Sequence, residues 1–110
     1  MSTTLPDPVQ RYFQLDAIRD IESIVALFAN DATVIDEGET RQGAAAIRAW
    51  QTGPASKYTY TTEIISTATL TADHHLVRAR LTGDFPGRTA ELTFDFTLAN
   101  RRVTRLAIAP

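Results

Sequence analysis

Apolar positions along the chain keep two different rhythms, helical in the first half and alternating in the second. Val9, Tyr12, Phe13 and Ala17 recur at the spacing that lines one face of a helix, which predicts a first helix over residues 8–17. Asp7, then Pro8, with Gln10 three residues after Asp7, marks its start: the carboxylate caps orphan amides and Pro fits the first helical position. Asp20 is placed to cap a second helix carrying Ile21, Ile24, Val25 and Phe28, and Asn30 tolerates the left-handed conformation that would end it. Thr33, Val34 and Ile35 then favour a strand reaching Asp36, which Glu37 and Gly38 turn back through residues 40–42 as a small hairpin. Gly43 opens GAAAIRAW, an alanine-rich third helix with Ile47 and Trp50 on one side, stopped by Thr52, Gly53 and Pro54.

Residues 58–65, 76–82, 88–98 and 103–108 alternate instead, separated by turn signals at Asp73, Pro86-Gly87 and Asn100, and predict an antiparallel meander. Along residues 88–98, Leu92, Phe94, Phe96 and Leu98 share one face, while Glu91, Thr93, Asp95 and Thr97 share the other. On the preceding strand Val77, Ala79 and Leu81 face inward and Arg78 and Arg80 outward, so the turn at Pro86-Gly87 is expected to bring Arg78 near Asp95. The whole is an α+β fold, with three N-terminal helices covering one face of a curved, mostly antiparallel sheet.

A length of 110 residues with 44% hydrophobic content fits one domain spanning residues 1–110. Eleven basic and thirteen acidic residues nearly cancel, leaving no single-sign field to attract nucleic acid or an anionic membrane. A small neutral molecule is the better partner. The absence of cysteine excludes disulfides and thiolate metal sites. MSTTLPDPVQR carries no apolar run, so neither a signal peptide nor a membrane span is expected there and cytoplasmic residence is the default. His74 and His75 are strand neighbours that point to opposite faces without a third ligand at metal spacing, so no metal is expected. There is no Gly-rich phosphate loop, no nucleophile elbow and no cofactor motif.

The richest stretch chemically is IVALFANDATVID, residues 24–36, where a short apolar strand ends on a carboxylate. An interior position disfavours charge, which makes Asp36 a candidate proton acceptor; beside Glu37-Gly38 it also fits a turn residue bonding its own backbone. Phe28, Trp50, Tyr58, Tyr60, Phe94 and Phe96 fit an aromatic lining for an apolar pocket, or ordinary core. Tyr58 and Tyr60 are expected on one strand face, where a buried tyrosine must find a partner for its hydroxyl.

VQRYF (9–13), IVALFANDATVID (24–36) and GAAAIRAW (43–50), in this order and followed by the meander, resemble the ketosteroid isomerase and SnoaL-like branch of the nuclear transport factor 2-like superfamily across essentially the whole chain. That resemblance implies a cone-shaped fold, a homodimer pairing through the outer sheet face that bears Thr59, Thr61, Glu63, Thr93 and Thr97, and cofactor-independent chemistry. It places Asp36 at the general-base position and Tyr12 at that of the oxyanion-hole tyrosine, whereas the family's protonated aspartate falls on Phe94. The implied function is an isomerase or cyclase-like lyase acting by proton transfer on a hydrophobic carbonyl compound. The alternative is a non-catalytic ligand-binding or dimerisation domain on the same scaffold.

Overall fold

Capping and burial set the helices. The computed structural model describes residues 5–110; the N-terminal segment read above lies partly outside them. Helix α1 spans Asp7–Ile18, but Asp7 makes no capping bond: Pro6 takes the cap position and Asp7 is already the first helical residue. Its buried face carries Val9, Tyr12, Leu15 and Asp16, while Ala17 is exposed. Arg19 ends the helix in the left-handed region at φ 54°. Helix α2, Ile21–Ala26, is capped as expected, with the Asp20 carboxylate accepting from the Ser23 amide at 3.3 Å.

Strand β1 runs Phe28–Asp36, so Phe28 and Asn30 belong to the strand and not to the second helix. Parallel pairing of Phe28 with Val103 overrides the local helical rhythm, an instance of tertiary pairing deciding between two readings of a short apolar run. Glu37 and Gly38, both at positive φ (54° and 76°), turn β1 into β2, Glu39–Gln42. Helix α3 covers Ala44–Thr52, and a single tight turn, Pro54–Ser56, follows.

The meander consists of β3 (Tyr60–Thr71), β4 (His74–Gly83), β5 (Thr89–Ala99) and β6 (Arg102–Ala109). Tyr58 precedes β3, which corrects its expected place on the same strand face as Tyr60. The six strands are ordered β2-β1-β6-β5-β4-β3, antiparallel except where β1 meets β6. Register shifts at Ile64/Ser66, Thr69/Thr71 and Thr97/Leu98 bend the sheet around the helices. Phe94, Phe96 and Leu98 face the helices, as do Val77, Ala79 and Leu81.

On the outer face, β4 and β5 are shifted from the expected charge pairing. Arg78 sits opposite Thr93 and donates to its hydroxyl at 2.9 Å, and Asp95 pairs with the His74 ring at 2.6 Å. Arg80 bridges Glu91 and Glu63. His75 turns inward, bonded to Thr69 Oγ1 and the Ala72 carbonyl. Among the described residues no helix is long and apolar enough to cross a membrane.

Where β4 ends, Gly83 lies against the chain just before β3. A methyl on it would meet the Thr59 carbonyl oxygen at 2.3 Å and Tyr60 Cβ at 2.7 Å. Gly83→Ala should therefore cost about 1–3 kcal/mol by forcing this strand pair apart, read as a lower urea midpoint at unchanged m-value.

Candidate functional site

A cavity of about 560 Å³ opens between the helices and the concave side of the sheet. Buried Tyr12, Trp50, Phe94, Leu81 and Ile108 form its walls together with Tyr60, Leu92 and Asp36, and the Glu37-Gly38 turn, Pro54, Ala55, Tyr58, Phe85 and Pro86 form its rim. Tyr58 and Phe85 pack edge to face across 5.9 Å at this rim. The lining is mostly apolar, with a few polar groups aimed inward, the usual constitution of a small-molecule site.

Asp36 is the last residue of β1 and follows Ala32 and Val34 on the inward face. Its Oδ2 accepts from the Trp50 indole N–H at 3.0 Å, and Arg41 holds its backbone carbonyl at 3.1 Å. The carboxylate thus bonds across the site to α3, leaving Oδ1 without a hydrogen-bond partner among the described residues. An indole N–H to a carboxylate is charge-assisted and fixes the plane of the acid.

Tyr12 comes from the middle of α1 and is 4% exposed. Phe28 and Phe96 meet its ring edge to face, at 6.4 and 5.5 Å. Burial, with Asp16, Tyr60 and Asp36 nearby, pushes its phenol well above the ordinary range, so it stays an O–H donor at any physiological pH. Phe94, where the resemblance called for an acid, packs on Phe13 at 5.1 Å.

Trp50, Tyr58, Tyr60 and Phe94 line the cavity, as expected. Phe28 and Phe96 do not: at 3% and 0% exposed they are packed into the core beneath Tyr12.

Sequence reasoning missed a polar cluster behind the cavity wall. Asp16, four residues after Tyr12 and so on the same helix face, accepts from the Tyr60 hydroxyl at 3.0 Å and pairs with Arg19. Arg19 Nη2 also donates to the Gln51 backbone carbonyl at 3.0 Å, to Gln51 Oε1 at 3.1 Å and to Ser56 Oγ at 2.6 Å. Burial raises the Asp16 carboxyl above its ordinary range despite Arg19, and it raises the Tyr60 phenol as well. The available signal was a charged residue sitting in an apolar helical stripe.

A family model for the SnoaL-like domain matches residues 9–105. A Sinorhizobium meliloti protein proposed to be a polyketide cyclase is 39% identical, with 96% of this chain and 95% of that one covered at a TM-score of 0.88. Two more distant structures share the fold. One is a Catenulispora acidiphila protein with a ketosteroid isomerase-like fold in complex with trimethylamine, at 18% identity, 97% and 87% coverage and TM-score 0.84. The other is SalBIII, an epoxide hydrolase/cyclase-like enzyme of pyran ring formation in salinomycin, at 20% identity, 93% and 86% coverage and TM-score 0.79. No curated protein matches the chain.

The buried Asp16 carboxyl makes stability depend on pH. A folded-state value raised above the ordinary 3.8 favours the protonated acid, a contribution complete below 3.8 and lost as pH rises through the raised value. The stability margin of the wild type over Asp16→Asn should therefore shrink as pH climbs past that value, measured by urea unfolding between about pH 3 and pH 7.

Proposed function

The chain belongs to the SnoaL-like family, and from that premise we propose that it moves a proton on a small hydrophobic carbonyl compound, as a cofactor-independent isomerase or cyclase-like lyase. The observation that carries this reading is one apolar cavity lined by both an oriented carboxylate and an un-ionised phenol. Asp36 Oδ1 takes a proton from the carbon beside the carbonyl, and the electron pair moves onto the carbonyl oxygen. Tyr12 donates a hydrogen bond to that developing oxyanion. The protonated Asp36 then returns the proton at a different carbon, which completes an isomerisation. Alternatively, the enolate carbon attacks a second carbonyl carbon in the same molecule and closes a ring; the alkoxide formed takes the proton held by Asp36, and the resulting hydroxyl then leaves with a neighbouring hydrogen as water.

Trp50 keeps one carboxylate oxygen engaged, so the free oxygen faces the ligand in one geometry. With Phe94 in place of a second acid, the oxyanion has one fewer donor, a loss of roughly 10²–10³-fold against a site with two. Phe94 also favours a second reading, a ligand-binding domain without chemistry, because an aromatic ring fills the acid's place. For the assembly we propose a homodimer through the outer sheet face, where Arg78, Arg80, Glu63 and Glu91 make a polar, charge-alternating surface.

Exchange of α-hydrogens for deuterium in a panel of hydrophobic ketones, followed by NMR in heavy water, tests the base directly. Wild-type protein should accelerate exchange, Asp36→Asn should abolish it at unchanged thermal midpoint, and Tyr12→Phe should slow it roughly 10²-fold. Retained exchange in Asp36→Asn would refute the role of Asp36, and ketone binding without any exchange would establish the second reading. Sedimentation velocity should give a dimer that weakens as salt rises; a monomer at all concentrations would remove the assembly.

A further inference from the structure

Two residues of the cavity wall have a second cavity at their backs. Tyr58 and Tyr60 also line a smaller space of about 210 Å³, together with Arg19, Ile21 and the exposed Ser56 and Thr59. No other described residue belongs to both linings. The two rings therefore stand between an apolar chamber and a polar hollow near the surface, and a ligand that filled the first could enter the second only past them.

A wall sets a limit only where it cannot turn aside. Tyr58 precedes β3 and is half-buried at the rim, where its ring rests on Phe85. Tyr60 is fixed at both ends. At its base it pairs with Gly83 across β3 and β4, so closely that a methyl on Gly83 would stand 2.7 Å from Tyr60 Cβ. At its tip the hydroxyl donates to Asp16 Oδ2 at 3.0 Å, with Oδ1 at 3.3 Å. Asp16 is itself 7% exposed and bonded by Arg19, so the acceptor is held in place as well. The tie survives either charge state of the acid, because a phenol can donate to a carboxylate or accept from a carboxylic acid. Breaking it would leave buried polar atoms without a partner, which is costly.

We infer that Tyr60 is a specificity-determining residue that ends the ligand chamber: it restricts the bound molecule to a compact carbonyl compound and bars a long apolar tail from passing toward Arg19. The inference rests on the small-molecule reading of the cavity given above and names the size class that the cavity takes, with no demand on the chemistry at Asp36. It also gives the buried Asp16–Arg19 pair a task in the site. The pair touches no ligand and holds the ring that does.

Straight-chain methyl ketones of increasing length, from 2-octanone to 2-hexadecanone, measure the limit by isothermal titration. In wild-type protein each added CH₂ should tighten binding roughly fourfold until the tail meets Tyr60, after which affinity stays flat. In Tyr60→Ala the rise should continue to longer chains, with the longest ketones bound roughly tenfold or more tighter than by wild type. The terminal CH₃ of such a ketone should then show a nuclear Overhauser effect to the Ile21 methyl groups that wild type lacks. Tyr60→Leu keeps an apolar side chain on β3 should the alanine variant fail to fold, and it should move the limit in the same direction. Leu92→Ala controls for simple enlargement, since Leu92 lines the main cavity alone, and should give no contact with Ile21.

A length limit unchanged in the Tyr60 variants would overturn the inference. So would an Ile21 contact already present in wild type or appearing in Leu92→Ala, or a wild type that binds no ketone of the series. A limit that moves with Tyr60, in a protein with no deuterium exchange, would keep the partition and remove the catalytic reading alone.

Discussion

The Arg19 guanidinium, at the left-handed end of α1, ties the last turn of that helix to the last residues of α3 and to the Pro54–Ser56 turn. A non-glycine residue in this region carries a backbone cost of roughly 1–2 kcal/mol, and it persists when the surroundings over-determine it. Here the side chain supplies that determination, because four oxygen atoms from three segments converge on it. The consequences reach the cavity. Asp16 is held where Tyr60 can use it, Gln51 is held with its oxygen outward, and α1 stands at a fixed distance from α3. The spacing between these two helices beside the cavity is thus set by directed polar contacts as well as by apolar packing.

The void itself follows from shape. The sheet is bent by three register shifts along the meander, and the helices cover its centre while leaving one end open near the Asp36 turn. Side chains at that end are either rigid rim groups, such as Pro54 and Pro86, or wall groups already packed from behind, such as Phe94 against Phe13. A volume of about 560 Å³ lies inside the range of small-molecule sites, roughly 300–1,000 Å³.

The architecture was legible because the two rhythms in the chain are strong, and the inward faces of β4 and β5 follow the alternation residue by residue. What could not be read depended on partners distant in sequence. Phe28 fits the helical pattern of Ile24 and Val25 equally well, and pairing with Val103 decides for the strand. Asp95 lay within reach of Arg78 on paper, but the register set by the Asp84–Arg88 loop moves it beside His74. Phe96 shares a face with Phe94, yet Phe94 lies nearer the start of β5, where Ala90 and Leu92 also line the open end, while Phe96 lies deeper in the core. Asp16 was visible as a charge in an apolar stripe. Gln51 was not, because a glutamine near the end of a helix is ordinary until the fold buries it.

The two polar groups of the cavity arrive from different elements, Tyr12 from α1 and Asp36 from β1, and each is held partly from outside its own element, the Tyr12 ring by Phe28 and Phe96 and the Asp36 carboxylate by Trp50. Trp50 and Gln51 are consecutive on α3. Neighbours on a helix diverge by about 100° around its axis, so this short segment gives Trp50 to the cavity and Gln51 to the Arg19 cluster. Trp50 fixes an acceptor whose other oxygen has no partner among the described residues. The Arg19 contacts to Gln51 hold the end of α3, and with it the place of Trp50 and of the acid that it orients. A substitution that let the end of α3 swing would therefore misdirect Asp36 without touching it, whereas loss of the Trp50 indole would release the carboxylate directly.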